Sequence, residues 1–150
     1  MSLNSYPWTA YQQTHVEVYL PEGVKVLEQV DGNEVGVWPF DYTEVWILTA
    51  CNPKSQELSP ADNNQRHKVL GEQLAELGLN YFYTRGFDPT SNSSSEWSED
   101  GYGVVGHVGK QVLELAKAWE QNAVFIWRPS EWVVLGVLID GQTKSGWRYV

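Results

Sequence analysis

The chain has 150 residues, 42% of them hydrophobic and 13% aromatic, with eight Trp and eight Tyr. That is enough apolar material for one core but too short a chain for two, so a single domain over 1–150 is expected and global disorder is excluded. Ten Lys+Arg against 19 Asp+Glu give a net charge of −9, a field that repels phosphate backbones and argues against nucleic acid as a partner.

Thr14–Leu20 alternates, with Val16, Val18 and Leu20 on one face and His15, Glu17 and Tyr19 on the other, as a half-buried strand does. Val24–Val30 and Glu34–Trp38 flank Asp31-Gly32-Asn33, which reads as a hairpin turn. Glu44–Ala50 (EVWILTA) is a continuous apolar run, the pattern of a strand buried on both faces in the middle of a sheet, and Asn52-Pro53 ends it. Ser59-Pro60-Ala61-Asp62 supplies an N-cap, a proline at N1 and an acid in the first turn, which predicts a helix from about Pro60 to Leu77 stopped by Gly78. Its inward stripe is Leu70, Leu74 and Leu77.

Leu79–Thr84 reads as a strand, Gly86–Ser98 as a long polar loop, and Gly101–His107 as a strand whose Gly101, Gly103 and Gly106 permit close approach. Val108, Val112, Leu115, Ala116 and Trp119 fall at helical spacing over about 108–121. Ala123–Trp127 and Glu131–Ile139 are apolar strands, and Asp140-Gly141 and Ser145-Gly146 bracket a turn before Trp147–Val150. The order from 44 to 127 is therefore β-α-β-β-α-β. It predicts an α+β, ferredoxin-like core: an antiparallel sheet with two helices on one face, extended by extra strands at 1–43 and 128–150.

The polar opening MSLNSYPWTAYQQTH and the lack of a long apolar run predict a cytoplasmic protein without membrane attachment. The single cysteine, Cys51, precludes an intramolecular disulfide and any cysteine-based metal cage. His15, His67 and His107 lie too far apart in sequence to nucleate a metal site, and no Walker or GxSxG pattern occurs, so no metal and no cofactor is expected. Directly after an apolar strand, Cys51 reads as a small buried hydrophobe rather than a nucleophile.

Chemistry concentrates where the central strand leaves for the helix. Thr49, Asn52 and Ser55 precede a helix start bearing Asn63, Asn64 and Arg66, where free amides and the helix dipole favour an anion. A second group, Asp88, Glu96, Trp97 and Glu99, belongs to the long loop; paired carboxylates can do acid/base work if one is desolvated, and Trp97 must fold back or await a partner.

TACNPKS (Thr49–Ser55), DNNQR (Asp62–Arg66), GFDP (Gly86–Pro89) followed by EWSE (Glu96–Glu99), and QNAVF (Gln121–Phe125) together resemble a bacterial family known as domain of unknown function 3293. The resemblance spans about residues 44–127. It departs from the family at Cys51, Gly101 and Glu120, and it implies no activity. The positions it brings forward are Asn52, Ser55, Asn63, Asp88, Trp97, Glu99 and Gln121.

The expected function is a non-catalytic small-ligand or protein-interaction module, monomeric or homodimeric. Its polar pocket at the 49–66 junction is built from Asn52, Ser55, Asn63, Arg66, Asp88, Trp97 and Glu99. Arg66 would orient an anionic ligand, Asn52 and Asn63 would hydrogen-bond it, and Trp97 would close over its apolar part. Two alternatives stand beside it: a small-substrate hydrolase or transferase using Glu99 or Asp88 with Arg66, and an acidic inhibitor or phosphate-backbone mimic using the net charge itself.

Overall fold

The computed structural model describes residues 7–90 and 97–150. In chain order the elements are α1 (Trp8–Gln13), β1 (His15–Leu20), β2 (Gly23–Val30), β3 (Val45–Leu48), a single 3-10 turn (Pro53–Ser55), α2 (Pro60–Glu76), β4 (Tyr81–Phe87), β5 (Ser98–Val105), α3 (Gly109–Ala118), β6 (Ala123–Arg128), β7 (Glu131–Gly136) and β8 (Gln142–Tyr149).

The strands close into an antiparallel barrel of order β1-β2-β8-β7-β6-β3-β5-β4, sealed by β1 on β4 with Val18 opposite Thr84. This overturns the ferredoxin-like α+β expectation. The β-α-β-β-α-β order over 44–127 is present, and β6-β3-β5-β4 are neighbours with α2 and α3 packed outside them. The flanking strands, however, do not extend an open sheet: β1 and β2 join β4 to β8, and β7 and β8 join β6 to β2, so no edge remains.

Two cores follow from the alternation of side chains along a strand. Inside the barrel, Val16, Val18, Leu27, Val45, Ile47, Trp127, Trp132, Val134 and Trp147 form one cluster. Outside, Trp46, Leu48, Tyr102, Val104 and Ile126 meet Leu70 and Leu74 of α2 and Val112 and Ala116 of α3. β3 is thus buried on both faces as its apolar run predicts, one face in the lumen and the other under helices.

Helix α2 starts as read, with the Ser59 hydroxyl accepting from the Asp62 amide at 3.1 Å, and Gly78 follows its end in the left-handed region at φ +70°. Leu70 and Leu74 are fully buried, but Leu77, past the last helical turn, is 53% exposed.

The hairpin expected at 31–33 does not form. β2 takes β8 as its second partner, with Leu27 opposite Tyr149, and Glu34 merely accepts a bond from the Trp147 amide at 2.9 Å. The chain from 34 to 44 then sends Trp38, Phe40 and Tyr42 into the lumen cluster against Trp127 and Phe82, filling one end of the barrel.

The long loop is shorter than read, because β4 runs to Phe87 and pairs it with Ser98; Glu96 and its neighbours 91–95 lie outside the described residues. The turn expected between Asp140-Gly141 and Ser145-Gly146 does not extend that far, because the chain is continuous strand in β8 from Gln142 onward. Gly101, Gly103 and Gly106 have GxGxxG spacing, but the first two sit inside β5, where a Cβ on Gly103 would come within 2.6 Å of the Phe82 ring. Gly101 and Gly103 are close-approach glycines, whereas Gly106, just past β5 at φ +100°, has open space where a Cβ would stand, so the close approach expected there is not found.

Candidate functional site

The end of the barrel opposite Trp38 and Phe40 is open. There β3, β4, β5 and β6 contribute Leu48, Gly86, Glu99 and Ala123 to the lining of a cleft of about 900 Å³, roofed by α1 and by the stretch from 49 to 58. Because β5 turns Tyr102 and Val104 outward beneath α2, the alternate positions Glu99, Gly101 and Gly103 face the lumen. Glu99 is the carboxylate that β5 places at the mouth.

Its position is held by the strand exit. Asn52 adopts the left-handed region at φ 49°, which asparagine tolerates, and its amide is oriented by its partners. The Oδ1 atom accepts from the Leu58 amide at 3.0 Å and from Asn63 Nδ2 at 2.8 Å, so Nδ2 must face Glu99, to which it donates at 2.8 Å. Asn63 returns its own Oδ1 to the Asn52 amide at 3.0 Å.

The carbonyls of the same stretch are satisfied by side chains. Gln121 Nε2 donates to the Cys51 carbonyl at 3.0 Å, and the Arg66 guanidinium donates to the carbonyls of Ala50 and Trp119 while lying over the Trp119 ring. Lys54 and Ser55 also have positive φ, at 53° and 61°. Three non-glycine residues with positive φ within four positions are a costly local conformation that this network sustains.

Burial pushes the Glu99 carboxyl up to about 7, the Asn52 hydrogen bond only partly opposing it. Burial also pushes the Cys51 thiol up, in line with its reading as a buried hydrophobe. Asp88 is held low by the hydroxyl and amide of Thr90, which donate to its Oδ1.

Of the sequence-derived candidates, Asn52, Ser55, Asn63, Asp88, Trp97 and Glu99 all line the cleft. Arg66 does not; its Nε and Nη2 donate to the Ala50 and Trp119 carbonyls and so dock α2 to the β3 exit and to the end of α3. Sequence reasoning missed Tyr11, on a six-residue helix too short to show periodicity, and Phe125, which lines the cleft from the inner face of β6. Gln121 was visible only through the resemblance. Among the described residues no group of three or more His, Cys, Asp or Glu is placed to hold a metal.

The molecule is thus an eight-stranded antiparallel barrel with a polar, acid-lined cleft at one mouth. The chain belongs to the family of proteins of unknown function DUF3293, whose model matches residues 48–124, from the end of β3 to the start of β6. No curated protein and no solved structure matches it.

Proposed function

We propose that this domain is a small-ligand-binding module whose site is the barrel-mouth cleft. Asn52 and Glu99 would hold the polar part of the ligand, while Trp97, Tyr11 and Phe125 would pack against its apolar part. The observation that carries the reading is the convergence of three separate chain segments, the strand exit, the start of α2 and β5, on one oriented Asn52–Glu99 pair inside a cavity of about 900 Å³. A purely structural turn needs no such opening. Arg66 would act on the fold rather than on the ligand, because it lies outside the lining and donates to the Ala50 and Trp119 carbonyls.

A screen of polar metabolites by amide chemical-shift mapping tests this. Hits should move Asn52, Asn63, Trp97, Glu99 and Gln121 together and should weaken at least tenfold in Trp97→Ala; hits that map elsewhere sink the reading. An acid–base enzyme is the second reading, and it has one observation in its favour: a carboxyl poised at about 7 in a cleft suits proton transfer near neutral pH. It requires a compound that wild type consumes and Glu99→Gln binds without consuming.

A further inference from the structure

We propose that the ligand of the barrel-mouth cleft is a cation, a protonated amine or amidinium carried on an apolar or aromatic body. This rests on the cleft being a binding site, and it replaces the anion that the helix start alone suggests.

Glu57, Asp88 and Glu99 line the cleft and, among the described residues, no Lys, Arg or His does. Lys54 and Arg66, the cations of the strand exit and of α2, lie outside the lining. Lys54 Nζ reaches Glu120 at 3.4 Å, and Arg66 donates to the Ala50 and Trp119 carbonyls. An anion would therefore meet carboxylates and, among the described residues, no cation in the lining.

Glu99 adds geometry to the charge. Its Oε2 takes the single Asn52 donor, and its Oε1 has no hydrogen-bond partner among the described residues. Asn52 cannot turn to serve it, because Oδ1 is committed to Leu58 and Asn63. The unfilled acceptor faces a space that an N–H donor of a ligand can reach, and a charge-assisted bond there would be among the stronger single contacts the site can make. The rings of Trp97, Tyr11 and Phe125 in the same lining suit both the apolar body and the face of a cation. Burial raises the Glu99 carboxyl with no opposite charge among the causes acting on it, and a bound cation would offset that cost.

The test compares three probes of one shape: 2-phenylethylamine, 2-phenylethanol and 3-phenylpropionate, each titrated into the whole chain with amide shifts recorded. The amine should bind at the Asn52, Trp97 and Glu99 positions at least tenfold more tightly than the alcohol or the carboxylate. Glu99→Gln should bring it to within about twofold of the alcohol. As a measurement free of any variant, raising the salt from about 20 to about 500 mM should weaken the amine several-fold and leave the alcohol unchanged. Equal or tighter binding of the carboxylate or alcohol in the cleft overturns the cation and leaves the binding site standing. Amine binding that ignores both Glu99→Gln and salt also overturns it. If none of the probes shifts a cleft residue, the cation fails together with the reading on which it rests.

Discussion

At the level of single residues, Glu99 trades stability for chemistry. An unfolded glutamate releases its proton near the ordinary value of 4.5, whereas the folded one keeps it to about 7. The native state therefore binds the extra proton between those values, so the stabilisation is fully present below 4.5 and is lost as pH rises through 7. Linkage puts the loss at up to about 3 kcal/mol. Glu99→Gln keeps the acceptor for Asn52 without the ionisation. In urea titrations it should match wild type at pH near 4.5 and exceed it by up to about 3 kcal/mol at pH near 8. Parallel pH profiles for the two proteins would remove the desolvated carboxylate from this account. Nothing in the polar segment around Glu99 distinguishes it from a solvated loop acid; the distinction arises only because β5 alternation turns it inward and Asn52 arrives from far away in the sequence.

Among the elements, α2 was the most legible, because its start and stop are set by neighbours in sequence: Ser59, Pro60 and Gly78. What that helix does was less so. Its first turns look like an anion site from local chemistry, yet Asn63 is drawn to Asn52 and Arg66 to the Ala50 and Trp119 carbonyls, so the polar residues hold the strand exit in shape. Arg66→Ala should cost about 2–3 kcal/mol, since it leaves the carbonyl of fully buried Ala50 unpaired. Arg66→Lys should recover less than half of that, because an ammonium cannot span two carbonyls in a fixed fork. Thermal or urea denaturation reads both values, and ligand affinity measured under folding conditions should change little in either variant. An unfolding midpoint indifferent to Arg66→Ala would refute the docking role.

For the whole molecule, the matched region 48–124 contributes only part of a barrel. β1, β2, β7 and β8 are four of its eight strands, and without them Val45, Ile47 and Trp127 would face water instead of the lumen. A segment of residues 44–128 should therefore show no cooperative thermal transition and should bind a hydrophobic dye, whereas the full chain melts in one step. A sharp transition with dispersed amide signals from the segment would contradict the closed barrel as the folding unit. From its sequence alone this protein revealed what neighbours along the chain decide: the alternation of β1, the double-faced apolar run of β3, the caps of α2, the burial of Cys51, and the clustering of chemistry near Asn52. Only the tertiary structure decided that Leu27 pairs with Tyr149 and Val18 with Thr84, which converts a sheet with extensions into a barrel. Period-2 patterning says which face of a strand is apolar but not which strand lies beside it, and pairing between the two ends of a chain leaves no local mark. The open mouth, and with it the cleft around Glu99, is a product of that closure.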